Sequence, residues 1–440
     1  MTSSDEMLAK LRQLHPSLID LSLGRTLRAL EALGRPQDRL PPVIHIAGTN
    51  GKGSTLAYLN ALLAAVDKTA HSFISPHLVS FHERIRLAHE NGSADITEEQ
   101  LVDVLKRAEA GNKGEPITFF EITMVAAFLA FSEHHADYLV LETGLGGRFD
   151  ATNVVENPVL TIITPISMDH MDFLGSSLAE IASEKAGIMK RGVPCIVGPQ
   201  PPEVLSVLSQ QAAELDVPLS VAGVDFKAYE QLGRLIYEDE ARLLALPLPR
   251  LVGSHQISNA GVSVAAALRL PDFKPTQEQM EKAMRQVSWP ARLQLLETEK
   301  LVGDIAINSD SEIWLDGGHN KAAAEVLAAS MADLEEQLPR PLHLVIGMMK
   351  RKNAAEFLQV FEGLCEMVFT VPVPGTDNGW SADELAEVAK GQGLRAMDCQ
   401  NVLEALEASG ERARNLGDEP VRILICGSLY LAGHVLEISQ

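Results

Sequence analysis

The chain has 440 residues, 46% of them hydrophobic and 22% charged, a length beyond what one hydrophobic core normally supports, so two domains are expected. The formal net charge of −22 argues against a nucleic-acid or anionic-membrane partner but leaves anionic small substrates open, since a local basic pocket dominates at short range. Cys195, Cys365, Cys399 and Cys426 show no metal-ligand spacing, Met1–Lys10 lacks a secretion signal's apolar stretch, and no window approaches the ~20 apolar residues of a membrane-spanning helix, so a reduced, cytoplasmic protein is expected.

Leucines at 8, 11 and 14, and again at 23, 27 and 30, predict helix over residues 5–35. Pro41-Pro42 closes that region, and Val43-Ile44-His45-Ile46-Ala47 reads as a short buried strand. A glycine-rich turn follows, then an apolar helix from Thr55 to Val66. Further strand-like runs at 138–141 and 159–163 alternate with helical stretches at 118–134 and 177–190, which predicts a parallel sheet covered by helices. From 219 to 251 the pattern changes to short alternating segments, read as a small antiparallel β-rich insert. Helices resume at 255–270 and 275–287, and Trp289-Pro290-Ala291-Arg292 then marks a boundary. Beyond it, strands at 313–316, 342–346, 367–370 and 422–426 alternate with helices at 320–335, 353–362, 381–390 and 400–415. The expected architecture is α/β throughout. Residues 1–289 form a phosphate-loop ATPase-like domain with a mostly parallel sheet, and residues 290–440 form a smaller Rossmann-like α/β domain.

The strand–turn–helix context makes Gly48-Thr49-Asn50-Gly51-Lys52-Gly53-Ser54 a candidate phosphate loop. Glycines let backbone amides approach phosphate oxygens, the helix N-terminus adds its positive dipole end, and Lys52 supplies a point charge. The loop departs from the common pattern. Gly53 follows the lysine directly and displaces the hydroxyl to Ser54, and Ile46 stands where the first glycine is usual. A glycine turn without a ligand is the bland reading, which the lysine and the adjoining hydroxyls of Ser54 and Thr55 outweigh.

With its displaced serine, this loop resembles that of the Mur ligase superfamily in its folate branch. Other segments agree in order along nearly the whole chain: Ser75-Pro76-His77-Leu78 with Glu83-Arg84-Ile85, residues 142–153 from Glu142 through Asp150-Ala151-Thr152-Asn153, Asp169-His170, Ile181-Ala182-Ser183-Glu184-Lys185-Ala186-Gly187-Ile188, Leu315-Asp316-Gly317-Gly318-His319-Asn320 and Gly427-Ser428-Leu429-Tyr430. The chain is thus similar to the bacterial folylpolyglutamate synthase/dihydrofolate synthase family. The resemblance implies an ATP-dependent amide ligation of L-glutamate to dihydropteroate and to reduced folates through an acyl phosphate, in a protein of a commonly monomeric family. Phosphorylation turns a poor electrophile into one with a good leaving group, so the protein must align phosphate, carboxylate and amine and neutralise crowded negative charge.

The resemblance also distributes roles. Ser54, Ser75, Glu142 and His170 would surround one or two Mg²⁺ ions, with a monovalent cation such as K⁺ as a further candidate. Hydroxyl and carboxylate oxygens suit Mg²⁺. His170 taken alone reads more readily as a hydrogen-bonded structural residue, and Glu142 as a loop carboxylate at the end of an apolar run, where open α/β sheets place ligand groups. Lys52, His170, Lys185 and His319 are the catalytic candidates. In the family the lysine matching Lys185 is carbamylated, which requires a neutral amine and hence burial; the residues alone read it as a surface lysine beside Glu180 and Glu184. Asn259, Arg292 and Asp316 join residues 48–54 as ATP-contacting groups. His319 reads equally as the first residue of the 320–335 helix. On the folate side the matches are Asp20, Leu21 and Ser22, then Thr118, Phe119, Phe120 and Glu121, then Phe149, Asp150 and Ala151. Aromatic faces and a carboxylate suit a pterin, while core packing is expected of at least one of Phe119 and Phe120.

Three departures stand out: Ser22 and Ala291 replace usual glycines, and Arg351 and Asn353 replace usual acids around Lys352. The alternatives are a monofunctional folylpolyglutamate synthase, another Mur-type ligase, or a phosphotransferase on the same loop. Too little chain precedes residue 43 for the uridine-nucleotide domain of a cell-wall ligase.

Overall fold

A computed structural model of the chain describes residues 3–15, 22–90, 92–297, 301, 305, 307–415 and 417–439. Two compact units emerge, one of Met1–Arg250 and Ile257–Ser288, the other of Leu251–Gln256 and Trp289–Gln440.

The first unit is built on eight described strands: β1 (Val43–Ala47), β2 (Ala70–Phe73), β3 (Ile85–His89), β4 (Gly92–Asp95), β5 (Tyr138–Glu142), β6 (Leu160–Ile163), β7 (Cys195–Val197) and β8 (Leu219–Val221). They form one sheet in the order β4-β3-β2-β5-β1-β6-β7-β8, parallel from β2 to β8 and antiparallel at the β2–β3–β4 edge. β1 lies near the middle with β5 on one side and β6 on the other, and all five of its residues are buried. From β1 the chain goes to β2 on one side, and it later crosses from β5 over to β6 on the other. That is the kind of switch point where open α/β sheets place a ligand beyond the carboxyl ends of the strands.

One face of this sheet is covered by the helix Phe119–Glu133, nearly all of which is buried. It begins with a capping box: the Thr118 hydroxyl accepts the Glu121 amide at 3.2 Å, and the Glu121 carboxylate accepts the Thr118 amide at 2.7 Å. The apolar side chains of this helix pack with Leu139 and Leu141 of β5 and with the helices Ser4–Leu14 and Glu98–Asn112. A second core joins Ala47 and Ile163 to the helices Leu178–Ala186 and Pro202–Glu214.

Strand β2 escapes a hydropathy reading because its centre is polar, yet His71 and Ser72 are fully buried. His71 bonds the Ala88 amide at 2.9 Å and the His134 carbonyl at 3.1 Å, and Asn60 donates to the Ser72 hydroxyl at 2.7 Å. Tertiary partners therefore remove the cost of burying them. In the β-rich segment, β8 joins the large sheet, while β9 (Phe226–Gln231), β10 (Arg234–Asp239) and β11 (Leu243–Pro247) make a separate antiparallel sheet. Leu232 and Gly233 turn the β9–β10 hairpin with positive φ at both residues, the turn that matches strand twist.

The second unit carries a six-stranded sheet of β12 (Gln294–Leu295), β13 (Glu312–Leu315), β14 (Leu342–Ile346), β15 (Cys365–Thr370), β16 (Ala396–Asp398) and β17 (Arg422–Cys426), in the order β12-β13-β17-β14-β15-β16. All but the β12–β13 pair are parallel. Its core includes Trp314, Leu344, Phe357, Phe361 and Leu424. Among the described residues no helix is long and apolar enough to cross a membrane.

Candidate active site

The loop after β1 runs directly into the helix Lys52–Ala65. Two of its glycines are dictated by space. A Cβ on Gly48 would lie 1.8 Å from the Thr164 hydroxyl oxygen, and one on Gly51 would lie 2.7 Å from Asn259 Oδ1. Gly51 is also in the left-handed region at φ +89, where it opens the helix without strain. The first bond of this helix runs from the Thr55 amide to the Gly51 carbonyl at 2.8 Å, so the amides before it lie at the positive end of the dipole.

A strap after β6 holds the loop in place. The Thr49 and Asn50 amides donate to the Pro165 carbonyl at 3.0 and 3.3 Å, and the Thr49 hydroxyl exchanges hydrogen bonds with Ser167 at 3.1 Å. Gln200 props the strap, donating to the Thr164 carbonyl and accepting the Ile166 amide, each at 3.0 Å. These residues carry no recognisable motif. The only hint in the sequence is Pro165 ending an apolar strand.

Lys52 curls back over the loop, donating to the Gly48 and Thr49 carbonyls at 3.2 Å, with its amine 3.8 Å from the Glu142 carboxylate. Glu142 is the last residue of β5, registered against Ile46 and nearly buried. The Lys185 amine donates to the same Gly48 carbonyl at 2.9 Å. Far from a surface lysine, Lys185 is 5% exposed, and burial followed by repulsion from Lys52 pulls its pKa down to about 7. Two amines thus converge on one carbonyl at the head of the loop. Ser54 is buried in the first turn of the helix. Ser75 follows β2, which neighbours β5, so it lies at the same carboxyl edge. Glu83 fixes that segment by accepting the Leu78, Val79 and Ser80 amides at 2.7 to 2.8 Å. His170 lies beyond β6 at φ 51, its side chain 43% exposed and its Nε2 3.9 Å from Asp169.

Among the described residues no group of three or more His, Cys, Asp and Glu gathers as a metal site. The donors present are a buried carboxylate, hydroxyls and one imidazole, beside the positive end of a helix. Such a set fits a hard divalent cation that takes its remaining ligands from phosphate and water.

On the proposed folate side, Asp20 and Leu21 lie outside the described residues, and Ser22 stands two residues before the helix Gly24–Ala32. Phe119 is buried, edge-on to Phe81 at 6.3 Å with the Arg12 guanidinium over its ring. Phe120 is half-buried, with its ring tip against Gly144. Glu121 is held by Arg25 through two 3.0 Å contacts and by the Thr118 amide. The Asp150 carboxylate accepts the Leu145 amide at 2.8 Å and the Thr152 amide and hydroxyl at 3.0 and 2.5 Å. Both carboxylates are therefore committed to protein donors. Phe149 beside Asp150 is 44% exposed, and Ala151 is buried.

In the second unit, the Asp316 carboxylate accepts the Leu293 and Gly318 amides at 2.8 and 2.6 Å. The Gly317 amide and the Arg292 guanidinium both donate to the Ala291 carbonyl, at 3.1 and 2.9 Å. Arg292 and Asp316 thus belong to one knot of backbone. Ala291 takes φ +53 there, a conformation that favours the glycine it replaces. His319 Nδ1 lies 2.9 Å from the Gly317 carbonyl, and it is Asn320 that caps the helix Lys321–Gln337, accepting the Ala323 amide. Asn353 caps the helix Ala354–Gln359 through the Glu356 amide, and Lys350 pairs with Glu384.

A glycine loop strapped across a parallel sheet, with a buried carboxylate and two amines at its head, has the geometry of a phosphate cradle, and the fold around it is that of a Mur-type ligase. The Mur ligase middle domain matches residues 46–267, and the C-terminal domain of dihydrofolate synthetase matches residues 299–438. The Escherichia coli dihydrofolate synthase/folylpolyglutamate synthase is 31% identical, over 98% of this chain and 94% of that protein. The E. coli structure with DHPP and ADP superimposes with a TM-score of 0.85 at 29% identity, covering 99% of this chain and 97% of that one. The Yersinia pestis folylpolyglutamate synthase/dihydrofolate synthase with AMPPNP and Mn gives 0.84 at 28%, covering 99% and 98%. The chain belongs to the folylpolyglutamate synthase/dihydrofolate synthase family of the Mur ligase superfamily, and it is an ATP-dependent ligase.

Proposed function

We propose that the chain joins L-glutamate in amide linkage both to dihydropteroate and to reduced folates, at the expense of ATP. The observation that carries the reading is the convergence of the Lys52 and Lys185 amines on the Gly48 carbonyl, beside the buried Glu142 carboxylate. In the first step an oxygen of the acceptor carboxylate forms a bond to the γ-phosphorus and ADP leaves. In the second, the glutamate nitrogen bonds the acyl carbon, phosphate leaves, and the nitrogen gives up a proton.

Residues 48–54 form the phosphate cradle: the Thr49 and Asn50 amides fasten it to the Pro165 carbonyl, the amides at the head of the helix meet the phosphates, and Lys52 swings from the Gly48 and Thr49 carbonyls onto them. Asn259, Arg292 and Asp316 complete our assignment of the nucleotide contacts. Ser54, Ser75, Glu142 and His170 would hold one or two Mg²⁺ ions, which when bound offset the phosphate charge. K⁺ is the monovalent candidate. The neutral Lys185 amine can bond the carbon of CO₂ and lose a proton, turning a neutral amine into a carbamate anion; stimulation of turnover by bicarbonate tests this. His170 and His319 are the remaining polar candidates near the reacting groups. Phe120, with the backbone from Phe149 to Ala151, offers the face for the fused-ring end of the acceptor. We read the protein as a cytoplasmic monomer acting on small molecules.

Paired assays test the reading, one with dihydropteroate and one with a tetrahydrofolate monoglutamate, each with ATP, Mg²⁺ and glutamate. Acceptor- and glutamate-dependent phosphate release is expected in both. Release in one alone reduces the protein to a monofunctional ligase, and ATP turnover without either acceptor points to a phosphotransferase.

A further inference from the structure

Behind the loop that follows Glu142, three polar side chains run in a line through the core. His45 on β1 and Thr152 are fully buried, and Asp150 is 3% exposed. His45 Nε2 lies 2.8 Å from the Thr152 hydroxyl, which lies 2.5 Å from Asp150 Oδ1. The other Asp150 oxygen accepts the Leu145 amide at 2.8 Å, next in the chain to Gly144.

Proton counting orients the chain. Burial raises the pKa of Asp150, but its two oxygens accept the Leu145 and Thr152 amides, which favours the carboxylate; a carboxylate only accepts, so the single hydroxyl proton of Thr152 points to it. His45 must then donate from Nε2, leaving Nδ1 bare, and Nδ1 is indeed a buried atom without a hydrogen-bond partner. Burying three polar groups here brings no net stability that an apolar trio of the same volume would lack. What it provides is a fixed position. β1 is an interior strand of the sheet, paired on both sides, and the line transmits its position to Leu145 and so to the adjoining Gly144. Gly144 is the floor on which the Phe120 ring tip rests: a Cβ there would be 2.3 Å from Phe120 Cζ.

We propose that His45 and Thr152 form a buried positioning line that fixes Asp150 and, through it, the Gly144–Leu145 segment against Phe120, and so shapes the acceptor pocket from behind. The phosphate loop is held separately, by the strap at Thr164–Ser167, so nucleotide binding does not depend on the line. This inference rests on the acceptor assignment above.

The test begins with the wild-type protein and dihydropteroate as acceptor. No turnover there would remove the functional reading itself, separately from the line. With turnover established, Thr152→Val and Thr152→Ser are compared. Thr152→Val breaks both hydroxyl bonds at constant volume, and its KM for dihydropteroate is expected to rise about tenfold, the equivalent of one lost hydrogen bond, with the KM for ATP within about twofold of wild type. Thr152→Ser keeps the hydroxyl and should return the acceptor KM to within about threefold of wild type. A purely structural role would lower the thermal midpoint and the active fraction while leaving both KM values in place. The line is overturned if the acceptor KM does not move, if the KM for ATP rises in step, or if serine is as damaging as valine. Nitrogen-15 NMR of wild-type His45 gives a readout that needs no variant: an Nε2–H tautomer with an exchange-protected proton is expected, and an Nδ1–H tautomer would refute the line.

Discussion

Replacing Lys185 with methionine isolates the electrostatics at the head of the phosphate loop. Burial, followed by repulsion from Lys52, pulls this amine from 10.5 to about 7 in the folded protein. Below pH 7 both folded and unfolded chains are protonated there, and the folded state bears the full cost of a buried ammonium. Between about 7 and 10.5 the unfolded chain holds a proton that the folded chain has lost, so stability rises with pH across that window. The slope is about 1.4 kcal/mol per pH unit, and the whole shift amounts to something on the order of 5 kcal/mol. Methionine keeps an unbranched side chain one atom shorter and removes the titration, at a cost of about 1 kcal/mol for the lost bond to the Gly48 carbonyl. Urea unfolding followed by circular dichroism, in CO₂-free buffers from pH 7 to 9.5, should find Lys185→Met the more stable protein at pH 7. Its advantage should shrink by about 3 kcal/mol by pH 9.5. Ligation should be lost throughout. Parallel stability profiles for the two proteins would refute the buried, neutral amine.

Lys52→Ala should reduce kcat by about a thousandfold or more while unfolding free energy changes by no more than about 1 kcal/mol, because the Gly48 carbonyl keeps its bond from Lys185 and Thr49 is only partly buried; steady-state kinetics and urea titration check both halves. Gly144→Ala places a methyl 2.3 Å from Phe120 Cζ and should raise the acceptor KM about tenfold with the KM for ATP unchanged, as read from initial rates. Gly48→Ala meets the Thr164 side chain at 1.8 Å, and a backbone shift of the loop should abolish ATP binding by calorimetry and destabilise the first unit by about 2–3 kcal/mol.

The sequence by itself determined the elements whose cause is local. The apolar run of β1, the two glycines that bracket the loop turn, and the Thr118–Glu121 cap are all written in consecutive residues. The displaced Ser54 carried the family likeness. Tertiary structure decided the rest, because burial and proton count depend on distant partners. Lys185 reads as a surface lysine beside Glu184 until the fold places its amine on Gly48, more than a hundred positions away in the chain. The partners that hold the Glu121 and Asp150 carboxylates, Arg25 for one and Thr152 and Leu145 for the other, appear only in the fold. Strand β2 is invisible in hydropathy because its polar centre is paired from other strands and helices. The strap at Thr164–Ser167 has no sequence signature, and the motif that holds Asp150 and Thr152 does not show their link to His45, since a hydrogen bond between remote residues leaves no spacing to read.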